Sequence, residues 1–124
     1  MKWSVDFTTE FLRMAKPLWK KYRGLMDDLE TFKESLEDNP FQGDVLQPGI
    51  RKIRMAIQSK GGGKSKGARI ITLTFAVNKD NGKVALLLIY DHNQADTVDR
   101  KMVKVVAKEL GYDVDELQDK GEIK

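Results

Sequence analysis

The chain has 124 residues, a formal net charge of +3, no cysteine and a single histidine. That length suits one domain with one modest core, and the lack of cysteine excludes disulfides, thiolate zinc sites and cysteine nucleophiles. No apolar run reaches the roughly 18 residues of a membrane span, and the N-terminal MKWSVDF lacks the apolar region of a signal peptide, so a cytoplasmic protein is expected.

Lys2 to Phe7 alternates, with Trp3, Val5 and Phe7 on one side, and predicts a first strand. Thr8 or Thr9 is placed to cap a helix whose apolar residues Phe11, Met14, Ala15, Leu18, Tyr22 and Leu25 keep helical spacing. Pro17 predicts a kink or a second start near Lys16, because an interior proline loses one hydrogen bond and costs about 3 kcal/mol. Beyond Gly24, the stripe Leu25, Leu29, Phe32 and Leu36 predicts a second helix that Asn39-Pro40 ends, making a helical hairpin. Its acids, Asp27 to Asp38, are expected to face water, and Trp3 and Trp19 to lie in the core or at its edge. Residues 41 to 49, FQGDVLQPG, read as a loop.

The run from Arg51 to Arg69 holds seven cations and no acid. Its first half alternates: Ile53, Met55 and Ile57 point one way, and Lys52, Arg54 and Gln58 the other, which sets a row of cations on one side of a sheet. Its second half is a glycine-rich loop carrying Lys60, Lys64 and Lys66, whose backbone NH groups can approach an anion closely. Together they suit a phosphate backbone, with the three loop lysines as contacts to RNA phosphates. GGGKS is not a nucleotide-hydrolysing loop, since the first glycine of that motif would fall on Gln58 and the loop joins strand to strand. Signs are segregated elsewhere too: Phe11 to Met26 carries five cations and no acid, so a modest average charge hides strong local fields.

Ala68 to Val77 predicts a strand, Asp80-Asn81-Gly82 a hairpin turn, and Lys83 to Asp91 a strand apolar enough to be covered on both sides. Asp96 or Thr97 is placed to cap a last helix, with Met102, Val103, Val106 and Leu110 inward, Lys101, Lys104 and Lys108 outward and Gly111 as its stop. The expected order is β-α-α-β-β-β-α, an α+β domain over residues 1–111: a small, mostly antiparallel sheet against the N-terminal hairpin, with a C-terminal helix. Residues 112–124 are expected to form a mobile acidic tail. His92, at a strand end, reads either as a proton shuttle or as an exposed turn residue. Tyr90 reads as a base-stacking ring or a core side chain.

The order of elements, the segment KIRMAIQSKGGGKSKGARIITLTF, the following LLLIYDHNQAD and the closing helix resemble the RelE/HigB branch of bacterial type II toxin-antitoxin toxins, over about Lys2 to Leu110. The resemblance implies a ribosome-dependent endoribonuclease that cuts mRNA without a metal or other cofactor and is silenced by a bound antitoxin. It implies that Lys52, Arg54 and Arg69 hold the scissile phosphate, with Lys52 a candidate to move a proton. Some members supply an Arg and a Tyr after the last strand, where this chain reads DHNQADTVD, so His92 is the candidate base. A related branch with the same fold poisons DNA gyrase instead, and an RNA-binding relative without a base is the third alternative.

Overall fold

A computed structural model of the chain describes residues 1–94 and, beyond them, residues 103, 107, 108 and 111. The alternating N-terminal segment is strand β1 (Lys2–Phe7). Thr8 then caps helix α1 (Thr9–Lys21): its hydroxyl oxygen accepts from Phe11 N and its O–H donates to the Leu86 carbonyl, which ties the helix start to the sheet. The second start expected at Lys16 is absent. α1 runs through Pro17 because Phe11 and Ala15 before it and Leu18 after it are all buried on one side, and apolar burial of about 1.5–3 kcal/mol for each large side chain outweighs the lost bond.

Helix α2 (Leu25–Asp38) buries Leu25, Leu29, Phe32 and Leu36, the stripe its spacing predicts, and Asn39 closes it. Residues 44–47 are not loop. They form strand β2 (Asp44–Gln47), paired antiparallel with β3 (Ile50–Met55) and broken by a register shift between Val45 and Gln47. The segment carries no burial pattern, since Asp44, Val45 and Leu46 are all exposed, and an edge strand of that kind leaves no apolar period in the sequence.

β4 (Ala68–Ala76) and β5 (Asn81–Asp91) complete a mixed five-stranded sheet of order β1-β5-β4-β3-β2. β1 lies parallel to β5, and the remaining pairs are antiparallel. The β4–β5 connection is not an Asn81-Gly82 turn: both residues already belong to β5. The Asn78 side chain organises the loop, its Oδ1 accepting from the backbone NH groups of Asp80 and Asn81.

The helical hairpin covers one side of the sheet, against Val5, Ile53, Met55, Ile70, Val84 and Leu86 among others. The opposite side gathers Ile50, Ile71, Leu73, Leu87 and Tyr90 with Val103 and Ala107, two helical, buried positions one turn apart. β5 is thus covered on both sides, as its composition predicts. Val103 inward and Lys108 outward agree with the expected last helix; its cap at Asp96 or Thr97, the positions Met102, Val106, Leu110, Lys101 and Lys104, and the tail 112–124 lie outside the described residues. Among the described residues no helix is long and apolar enough to cross a membrane.

Candidate functional site

In the β3–β4 ladder Arg54 is the register partner of Arg69, and Arg69 in turn is the partner of Tyr90 on β5. Register partners share a side of the sheet, so Arg54, Arg69 and Tyr90 form one row on the side away from the helical hairpin, with Lys52 two residues along β3 from Arg54. β2 pairs with β3 only as far as Lys52, whose partner is Asp44. Arg54 therefore stands on an open stretch of strand edge. It is exposed, and no hydrogen bond or ion pair engages its guanidinium among the described residues.

The loop between β3 and β4 is shaped by its glycines. Gly61, Gly62 and Gly63 take φ of +77°, +82° and +66° in succession, a left-handed run that residues with a Cβ resist. At the far end of the loop a Cβ on Gly67 would collide with the Met55 carbonyl, so only glycine lets the loop close over the end of β3. Between them Lys64–Lys66 makes one 3-10 turn. Arg69 secures that turn: Nη2 donates to the Ser65 carbonyl at 2.9 Å and Nη1 to the Lys64 carbonyl at 3.2 Å. Lys64 and Lys66 are thereby held exposed beside Arg69.

A second group sits where the loop begins and β5 ends. Asp91, 2% exposed, accepts from the Tyr22 hydroxyl on Oδ2 and from Lys60 Nζ on Oδ1 at 2.7 Å. His92 Nδ1 lies 3.1 Å from the same Oδ1 and 3.0 Å from Lys60 Nζ. Lys60 also sits over the Tyr22 ring, 5.3 Å from its centroid. Burial alone raises the Asp91 pKa, but the hydrogen bonds from Lys60, Tyr22 and His92 outweigh it and hold the carboxyl well below the usual carboxylate range. For Lys60, burial lowers the pKa and the bonds to Asp91 and Tyr22 outweigh that, so the ammonium is held above its ordinary value. Nδ1 can donate to the carboxylate only in the tautomer whose lone pair is on Nε2.

The sequence-predicted residues thus fall into two groups. Lys52, Arg54 and Arg69 share one side of the sheet. His92 and Lys60 belong to the Asp91 group, and no hydrogen bond or ion pair between described residues joins the groups; the His92 NH to the Gly67 carbonyl, 2.9 Å, puts His92 at the root of the loop. Four expectations change. Lys60, expected with Lys64 and Lys66 at RNA phosphates, is held by the buried Asp91 carboxylate as its counter-charge. Arg69 is not a free fork, since the loop carbonyls occupy part of its donor set. Arg51, counted with the cationic run, is 4% exposed and lies over the Phe41 ring, 5.1 Å from its centroid. Trp19 is 54% exposed, because it falls on the flank of α1 and not over the sheet. Tyr90 packs in the core cluster, the alternative its apolar strand favoured.

The sequence did not single out Asp91, Tyr22 or Asp28, whose Oδ2 accepts from the Gln58 NH at 3.2 Å. The acid that ends LLLIYD was the available signal, because a carboxylate closing a buried strand requires a partner. The described residues hold no group of three or more His, Cys, Asp or Glu side chains able to bind a metal. No model of a known protein family matches the chain.

Proposed function

We propose that the chain is the toxin of a type II toxin-antitoxin module, acting as a ribosome-dependent endoribonuclease on mRNA. The observation that carries this reading is the opposition of Arg54 and Arg69 on one side of the sheet, beside a glycine loop that presents Lys64 and Lys66. Such a patch supplies the clustered positive charge that a polyanion needs.

RNA can be cut with its own 2′-OH as nucleophile on the adjacent phosphate, forming the bond to phosphorus while the 5′-oxygen departs. The protein must then align the attack, neutralise charge growing on the phosphoryl oxygens and move two protons. Arg54 is suited to the phosphoryl oxygens, since no hydrogen bond or ion pair engages it among the described residues and its planar fork of donors matches a phosphate. Arg69 aligns the loop and offers its remaining donors. His92 Nε2 is the base, with Asp91 fixing its tautomer and Lys60 and Tyr22 fixing Asp91. An antitoxin would silence the site by laying acidic side chains across the same cations.

Expression in a bacterial host tests the reading: growth should stop and transcripts should be cut within codons on translating ribosomes. Arrest with intact mRNA contradicts it.

A further inference from the structure

Between α2 and the uncovered edge of β3 lies a cleft of about 450 Å³. Its floor is apolar, made by Phe32 of α2 and Met55 of β3, and Arg54 and Lys64 both line it. Its remaining wall is polar. Gln42 Nε2 donates to the Ser35 carbonyl at 3.0 Å and to the Asn39 carbonyl at 2.9 Å, which fixes the amide and leaves Oε1 as its acceptor. Asp28 spends one carboxylate oxygen on the Gln58 NH, so it anchors the start of the loop to α2 and keeps a second oxygen as an acceptor.

We infer that this cleft is the seat of a nucleobase, and that its occupant is one nucleotide of a single-stranded RNA whose phosphate rests on Arg54 and Lys64. The inference rests on the nuclease reading above and names the part of the substrate that reading leaves unplaced. A cleft with an apolar floor and a few fixed polar groups suits a planar heterocycle better than a phosphate alone. Its charges are ordered to match a nucleotide: cations from the edge of β3 and from the glycine loop, and acceptors for ring or exocyclic NH groups from the Asp28 carboxylate on α2 and the Gln42 carboxamide beyond its end. The arrangement also explains why Arg54 has no hydrogen-bond or ion-pair partner among the described residues at a point where β2 has ceased to cover β3.

The probe is a short RNA with one 2′-deoxy position, which binds but is not cut, titrated into the full chain and followed by amide and side-chain NH resonances. It should shift Gln42, Ser35 and Ala56 in the cleft, and inorganic phosphate should shift only the neighbourhood of Arg54 and Lys64. Thr31 is exposed on α2 and lines the same cleft, so Thr31→Trp fills the space without touching the cations. That variant should weaken RNA binding at least about tenfold, the effect of losing one base contact, and leave phosphate binding unchanged. Phosphate and RNA shifting the same residues, or Thr31→Trp binding RNA as tightly as the parent, overturns the inference, as does an acidic peptide that displaces nothing but occupies the cleft more tightly than RNA. A chain that cuts mRNA equally well with and without Thr31→Trp removes the cleft and leaves the nuclease standing; a chain that binds RNA in the cleft and never cuts does the reverse.

Discussion

Arg54 sits directly opposite Arg69 across the β3–β4 ladder, two guanidinium-bearing residues at one register position. Like charges so placed destabilise an antiparallel pair by some tenths of a kcal/mol. The two differ in what holds them: Arg69 donates to the Lys64 and Ser65 carbonyls, and Arg54 engages nothing among the described residues. Arg54→Gln should therefore stabilise the fold by about 0.5 kcal/mol, a rise in Tm of about 2 °C. Arg69→Ala should lower stability by about 1 kcal/mol, one lost internal hydrogen-bonding anchor. Thermal denaturation decides this, and the opposite order would contradict the division of labour between the two arginines.

The Asp91 group predicts two limbs in the pH dependence of stability. Asp91 has its pKa depressed on folding, so its contribution is present above the unfolded carboxylate value of about 4 and is lost as pH falls below it. Lys60 has its pKa raised, so its contribution is present below the ordinary lysine value of about 10.4 and is lost as pH climbs beyond it. Stability from this pair should be flat between about pH 5 and 9. Asp91→Asn should cost about 3 kcal/mol, since it strands a partly buried ammonium, and should flatten the acid limb in urea titrations taken at a series of pH values.

The glycine loop should tolerate substitution unevenly. Alanine at Gly61 or Gly63 meets no neighbouring atom and carries only the strain of positive φ, about 1 kcal/mol. Alanine at Gly67 meets the Met55 backbone and must displace either the loop or the end of β3. Gly67→Ala should cost at least twice as much stability as Gly61→Ala in chemical denaturation, and it should reduce RNA affinity as well, because Lys64 and Lys66 move with the loop.

Binding to single-stranded RNA should fall steeply with salt. If Lys52, Arg54, Lys64 and Lys66 each meet one phosphate, the slope of log K against log salt should be near −3, about −0.7 for each contact. Replacing Lys64 alone should make the slope shallower by about one such increment. A slope near zero would mean that the cationic row does not meet phosphates.

How far the sequence carried this picture follows from what periodicity can encode. The stripe Leu25, Leu29, Phe32 and Leu36 and the alternation of Ile53, Met55 and Ile57 each report a side of an element that faces the core, and the structure buries every one of them. β2 escaped because an exposed edge strand has no side to report. Pro17 misled for the reverse reason: local chemistry argued for a break, and burial on both sides of it decided otherwise. The cationic row was legible because Lys52 and Arg54 alternate with apolar residues in one strand. The Asp91 group was not, because its members come from the end of α1, the loop and the end of β5, with Lys60 and Asp91 31 positions apart in the sequence and Tyr22 and Asp91 69 positions apart. No local pattern records which buried acid will claim which lysine.

The decisive experiment maps the 5′ ends of transcripts from cells expressing the parent chain or its Arg54→Ala variant. Discrete cuts within codons of translated messages are expected for the parent, and for the variant a loss of about 10²–10³-fold in cleavage with circular dichroism unchanged. Cleavage by Arg54→Ala at the parent's rate, or intact messages in cells arrested by the parent, would contradict the nuclease reading.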